Sequence, residues 1–391
     1  MTAFYELEQI LTEKGKTEMS ENNAPKVTVL TPTFNRPGFL GEAIKSVLSQ
    51  ELENWEMIIV NDGGMKVGHI VDSFNDKRLI HIDNDKNKGK SACLNQALKI
   101  AKGEYVAYLD DDDIWYPNHL KALSEALDRS DDSFGAAYSD LYGVQCVRNL
   151  EGSKRYPLHK WIQASRDYNR FFTFNFNHVL HVSLMHTKEL ADRVGGYDET
   201  VKVLIDWNMT RKLSFFTEFI HVPLLTGEYY MPFNITDRIS CNERVDKEKY
   251  KHNLRRTRAD LPPEPWEKVK RVGVVFPINE WGEKTKEFVT MLADHISYPV
   301  RYVIINRDLS KNRDECLESL GELAELKNIH ILCPEKEISP LESYRMRAQL
   351  FDFDYVYLPS VRNTQKRDHR IMTAVDFMEY IPSDGLKWGV P

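Results

Sequence analysis

No stretch of this 391-residue chain is long and apolar enough to cross a bilayer: apolar runs such as 272–276 (VGVVF) fall far short of the roughly 20 residues a membrane helix needs. The first 23 residues are polar and hold no apolar core of signal-peptide length. The expectation is a cytoplasmic protein, with contact at the inner face of a membrane left open. Cysteine is sparse. Cys93, Cys146, Cys241, Cys316 and Cys333 are scattered, with no CxxC and no Cys/His pair at zinc spacing. That excludes a disulfide framework and points to reduced thiols. Positive charge is not in excess either. A formal net charge of −7 gives no electrostatic reason for a nucleic-acid partner. The glycines form neither GxxxxGK[ST] nor GxGxxG, so bound phosphate would be met by cations rather than by a glycine cradle.

What is present is a strand that runs into acid. Tyr105 to Leu109 is short, aromatic and β-branched, as a buried strand should be, and Asp110, Asp111, Asp112 and Asp113 follow it directly. Adjacent carboxylates repel one another and need a counter-charge when they end a core strand. A divalent cation, Mn²⁺ or Mg²⁺, shared with a phosphate is the economical choice. A solvated acidic turn leading into the helix near Pro117 is the plainer alternative.

Strand and helix patterns alternate along the chain. Strands are expected at 26–31, 57–60, 79–82 and 105–109, with helical spacing after Phe39 and after Asn87. This alternation predicts an α/β fold with a mostly parallel sheet covered on both faces. Ligands in such sheets sit at the carboxyl ends of the strands. There the sequence places Thr31 and Thr33, then Asp62, then Lys88 and Lys90, then Asp110 and Asp112. Asp62 could accept hydrogen bonds from a base, and the lysines could neutralise a diphosphate. Singly, each is as well explained by a turn or a solvated loop.

Taken together, the segments VTVLTPTFNRPGFLGEAIKSVLSQ, MIIVNDGG, NKGKSACLNQAL, GEYVAYLDDDDIWYP and GGYDETVKVLIDWNMTRKL resemble the inverting family 2 glycosyltransferases of the GT-A fold over roughly 27–240. The resemblance implies a GT-A domain at 25–260 that takes a nucleotide-diphospho-sugar donor, a UDP-sugar first, and a divalent metal. It implies transfer to a glycan, lipid-linked or protein-linked acceptor. Residue by residue it places Thr31, Pro32, Thr33, Asn35 and Arg36 on the nucleoside, Asp62 on the base, Asp110 on the ribose and Asp112 on the metal. Asp111 and Asp113 join the donor site. Asp206 becomes the general base, since an acceptor hydroxyl must lose its proton as it attacks the sugar carbon. His178, Arg211 and Arg238 are candidates for acceptor or phosphate contacts. The chain departs from the family at Leu94, where an Arg is usual, and at Ile205, where Glu is frequent. No late His stands near 229–242; Asn234, Asp237 and Arg238 are the polar residues there.

Residues 1–24 read as a short helix and tether. After the linker Leu261-Pro-Pro-Glu-Pro265 the alternation restarts, which predicts a second, smaller α/β domain at 267–391, with strands at 272–277, 301–305, 328–332 and 355–358. Acceptor presentation and oligomer contacts are its candidate roles. Two rival functions are a sugar nucleotidyltransferase, which would carry a glycine-rich basic signature after the first strand, and a non-catalytic carbohydrate-binding scaffold.

Overall fold

A computed structural model describes residues 24–149, 151, 153–163, 165–234, 246–336 and 352–359. The expected N-terminal helix, a helix at 340–351, Cys241, Asp237 and Arg238 lie outside the described residues.

The first sheet starts with the expected strands, the first three a little longer and the fourth one residue shorter: β1 (Val27–Thr33), β2 (Trp55–Asn61), β3 (Leu79–Asp83) and β4 (Tyr105–Tyr108). Pro32 does not stop β1. The β4 ladder ends at Leu30↔Tyr108, so the amide hydrogen that Pro32 lacks would have met no strand on that side. The sheet order is β3-β2-β1-β4-β8-β6-β9-β5. Its β3-β2-β1-β4 half is parallel. β8 (Leu184–Thr187) runs antiparallel to β4, and β6 (Phe134–Arg148) antiparallel to β8. β9 (Glu218–Pro232) lies parallel to β6, and the two-residue β5 (Ile114–Trp115) closes the far end. β7 (Arg155–Gln163) continues the β8 edge of β6 as a hairpin, with Arg148 opposite Arg155.

Successive residues of β1 face opposite sides of the sheet. Val27 and Val29 pack with Leu40, Ile44 and Val47 of α1 (Pro37–Leu48), and with Leu120 and Leu123 of the helix His119–Asp128. Leu30 packs on the other face with Leu94 and Leu98 of the helix Lys90–Ile100 and Met209 of the helix Ile205–Leu213.

The linker separates this sheet from a second one, parallel throughout, of strands Val272–Ile278, Val300–Asn306, Ile329–Leu332 and Tyr355–Tyr357. The two sheets share a single buried cluster, however. Phe171 and Phe174 lie 6.2 and 5.7 Å from the Tyr298 ring, and Phe215 lies 4.8 Å from Trp266. A fragment ending at Leu261 would expose these rings. It is expected to lose the cooperative melting transition of the full chain, as circular dichroism would record. A fragment that melts cooperatively near the full-chain temperature would show the second sheet to be dispensable for folding.

Candidate active site

The carboxyl ends of β1, β2 and β4 meet the loops in front of two helices, Lys90–Ile100 (α3 from here on) and Ile205–Leu213 (α7). Asp110, Asp111, Asp112 and Asp113 sit there, the last three buried. The chain itself supplies three basic side chains from separate loops. Lys90 Nζ lies 2.6 Å from Asp110 Oδ1. Arg36 forks between Asp111 Oδ1 at 2.6 Å and Asp112 Oδ2 at 2.8 Å. Arg148 Nη2 reaches the same Asp112 oxygen at 2.6 Å. Arg155 donates to the Asp112 backbone carbonyl and pairs with Glu42 at 2.7 Å. Asp113 Oδ1 accepts the Tyr230 amide at 2.7 Å, which ties β9 to the acidic loop.

The electrostatics follow from burial. Burial works to raise the Asp110 carboxyl, but Lys90 overcomes it and holds the group far below the usual range. Asp111, wholly buried, goes the other way: loss of water pushes it up to about 7, against the pull of Arg36. Burial also works to strip the Lys90 ammonium of its proton. Asp110, and in smaller measure Asp206, reverse that and keep it charged.

Asp62 is buried and structural in part. Its Oδ1 and Oδ2 accept the backbone amides of Lys88 at 2.7 Å and Gly89 at 2.9 Å, fixing the loop that opens α3. The approach depends on Gly63, whose φ is +75° and where a Cβ would meet the Lys86 carbonyl carbon at 2.3 Å. Asp62→Asn keeps one acceptor oxygen and loses the other. It is expected to cost about 1–3 kcal/mol of stability by stranding an amide. Thermal melting and nucleotide titration of the same variant would check this, with a lowered melting temperature and weakened nucleotide binding both expected. An unchanged melting temperature would leave Asp62 a ligand contact alone.

Of the residues expected on the nucleoside, Thr31 and Thr33 are buried at the end of β1, with Thr31 Oγ1 unpartnered and Thr33 beside Asp111. Pro32 lies between them in the strand. Asn35 takes φ 54° and accepts the Met65 amide at 2.9 Å, so it joins the β1 and β2 loops. Lys88 turns to Asn84 Oδ1 at 2.9 Å, leaving Lys90 to the aspartates. Leu94, where the family carries Arg, is buried in the core.

Asp206 stands in the first turn of α7 and is half-buried. Asn177 Nδ2 donates to its Oδ2 at 2.7 Å. Two features aim that turn. Asn95 of α3 accepts the Tyr197 amide at 2.8 Å and donates to the Tyr197 carbonyl at 2.9 Å, which docks the Gly-Gly-Tyr-Asp-Glu loop. Leu204, immediately ahead of the helix, has φ 63°, a left-handed conformation costing a bulky residue roughly 1–2 kcal/mol. Under the loop, His181 stacks on Tyr108 at 4.1 Å and hydrogen-bonds the Tyr197 hydroxyl at 2.8 Å; burial drives its ring neutral, down to about 3.

Arg211 requires a correction. It is buried, with its guanidinium donating to the carbonyls of Phe174 and Ser297, so it ties α7 to the turn ahead of the strand Val300–Asn306. Burial lowers its pKa to about 9. His178 is packed among the rings of Phe172, Tyr138 and Tyr168, and burial lowers its pKa. It is the preceding residue, Asn177, that touches Asp206. Arg238 lies outside the described residues. Asn234 grips Arg148 by its backbone, accepting its amide at 2.9 Å and donating to its carbonyl at 2.8 Å.

Sequence reasoning missed Asn177, Arg148 and Arg155. The last two had one visible signal: an arginine on each side of the short turn VRNLEGSKR.

Asp110 and Asp112 are hard oxygen donors at a strand end, as Mg²⁺ or Mn²⁺ requires. Among the described residues no group of three or more His, Cys, Asp or Glu could hold a metal ion. Asp110 is engaged by Lys90 and Asp112 by Arg36 and Arg148, so a cation there would have to displace a basic side chain and draw its other ligands from a diphosphate and water. Among the described residues no helix is long and apolar enough to cross a membrane.

The chain is 46% identical over 104 residues to the putative colanic acid biosynthesis glycosyl transferase WcaA of Escherichia coli, covering 26% of this chain and 37% of that protein. It is 28% identical over 199 residues to an uncharacterized glycosyltransferase of Rickettsia typhi, covering 49% and 59% respectively. The matches thus span less than two thirds of these relatives. Among solved structures, Staphylococcus aureus TarS in complex with UDP-GlcNAc aligns at 17% identity with a TM-score of 0.46, over 60% of this chain and 66% of that one. The sequence model of Glycosyl transferase family 2 matches residues 28–186, a span that takes in Thr31 to Asp113 and stops short of Asp206. Over those residues the chain is similar to Glycosyl transferase family 2, and its α/β fold is GT-A-like.

Proposed function

We propose that the chain is an inverting glycosyltransferase that moves a sugar from a nucleotide-diphospho-sugar, a UDP-sugar first, to a hydroxyl of a glycan, lipid-linked or protein-linked acceptor. One observation carries it. Asp206, a carboxylate steadied by Asn177, shares the electrostatic neighbourhood of Lys90, which sits on Asp110 at the end of β4. Asp206 and the Lys90 ammonium thus lie near enough to interact electrostatically.

The chemistry balances within these residues. The acceptor oxygen forms a bond to the anomeric carbon as the carbon–oxygen bond to the diphosphate breaks. The electron pair leaves with the diphosphate, where Lys90 and Arg36 offset its charge. The hydroxyl proton passes to Asp206. Attack on the face opposite the leaving group inverts the carbon. A divalent cation held by Asp112 would add Lewis-acid stabilisation of the departing diphosphate. The name of the Escherichia coli relative, a colanic acid enzyme, favours a surface polysaccharide as the product's class.

The rival nucleotidyltransferase lacks its glycine-rich basic loop after β1, where TPTFNRPG stands. A non-catalytic scaffold has no use for the left-handed Leu204 that sets Asp206 in place. Calorimetric titration with UDP, GDP and TDP, with and without Mn²⁺, tests the proposal. Saturable binding of one of them is expected, weakened in Lys90→Met. Absence of binding by all three under both conditions would overturn it.

A further inference from the structure

The loop that leads to Asp206 runs from Gly195 to Leu204 and carries three positive φ angles, 74° at Gly195, 65° at Gly196 and 63° at Leu204. A left-handed leucine persists only where its surroundings over-determine it. Asn95 of α3 is one anchor of the loop. A second comes from across the linker. Asp198 folds a turn, its Oδ1 accepting the Thr200 amide at 2.9 Å and hydroxyl at 2.7 Å. Its Oδ2 accepts from Lys327 Nζ at 2.6 Å, 129 residues away in the turn before the strand Ile329–Leu332 of the second sheet. The same ammonium donates to Asp260 Oδ1 at 3.1 Å. Asp260 follows the helix Lys247–Ala259, and its Oδ2 faces back to α7, 3.0 Å from Asn208 Nδ2 and 3.2 Å from Lys212 Nζ. Lys212 in turn donates to the Gly196 carbonyl, which brings the ring of contacts back to the loop.

Two carboxylates and two ammoniums balance in this ring. The side chains of Asp198, Asp260 and Lys212 are only 4–7% exposed, so each charge depends on its partners. Lys327 is half-exposed and joins both carboxylates. In sequence Asp206 lies between two anchored points, Asp198 and Asn208. We propose that Lys327 is a positioning residue for Asp206: through Asp198 and Asp260 it locks the loop to α7, so that the second sheet takes part in transfer by aiming the base. This rests on Asp206 being the base, as proposed above.

The test compares Lys327→Met, which keeps the aliphatic stem and loses the charge, with Lys327→Arg and wild type. Backbone hydrogen exchange over 195–208, read by mass spectrometry, is set beside kcat and donor KM for nucleoside diphosphate release from a panel of nucleotide sugars. Lys327→Met is expected to lose protection across 195–208 while the strands of the first sheet keep theirs. Its kcat should fall about 10–100-fold with donor KM unchanged, the cost of a base displaced by about 1 Å. Lys327→Arg should restore both. Unchanged exchange over 195–208, wild-type kcat in a loosened loop, or a donor KM that rises as kcat falls would overturn the proposal. Should melting curves show Lys327→Met to be unfolded, Asp198→Asn, which removes the charge at the other end of the pair, decides by the same readouts. Failure of the base assignment looks different: Asp206→Asn would match the wild type, or no donor would be consumed, while Lys327→Met still loosened the loop. Lys327 would then be a structural tie alone.

Discussion

Asp206→Asn is expected to leave a folded protein that binds nucleotide as the wild type does and transfers sugar about 10²–10⁴ times more slowly. The substitution keeps the size of the side chain, and an amide oxygen still accepts from Asn177 Nδ2. Only the proton acceptor is gone. The alternative role, a polar residue closing the first turn of α7, makes the opposite forecast. There the melting temperature would drop and transfer would survive. Asn177→Ala supplies a graded companion, because it frees the Asp206 carboxylate to rotate while leaving it basic. A smaller loss in kcat than for Asp206→Asn, with nucleotide affinity intact, is the expected sign that Asn177 acts through Asp206.

Asp112→Asn should be costly to the fold as well as to turnover. Its carboxylate neutralises Arg148, which is buried, and shares Arg36 with Asp111. Removing one partner of a buried ion pair strands the other charge, at about 3–5 kcal/mol. Chemical denaturation should register that loss, and transfer should be abolished. Arg148→Gln in the same background removes the stranded charge, so the double variant should be more stable than the sum of the single losses. Simple additivity would mean that the two side chains do not depend on each other.

These two residues also show how far the sequence could be read. Asp206 and the acidic run were legible because each belongs to a local pattern: a buried strand breaking into carboxylates, and a Gly-Gly-Tyr-Asp-Glu loop leading to a helix. The parallel β3-β2-β1-β4 half was legible for the same reason, since buried strands and amphipathic helices keep their periods. What neutralises the aspartates was not. Arg148 reaches Asp112 only because β6 runs for 15 residues, and no local period marks that length. β6 is long because β9 pairs with it from Phe134 to Cys146, across several register shifts. β9 itself contains Pro223 and Gly227, which read as breakers in isolation. Pairing between distant segments overrode those signals. Arg211 failed differently. It was a candidate for acceptor or phosphate contact, but its guanidinium meets the carbonyls of Phe174 and Ser297, and nothing in α7 alone announces those partners.

Asp206 can act as the base only if a nucleotide sugar lies between the Asp110–Asp113 loop and Asp206. The most direct measurement is nucleoside diphosphate release from a panel of nucleotide sugars in Mn²⁺, wild type beside Asp206→Asn. One donor should be consumed by the wild type, while Asp206→Asn binds it equally well and releases diphosphate at a small fraction of the rate. Release by the variant at the wild-type rate, or no donor consumed by either protein, would contradict the claim.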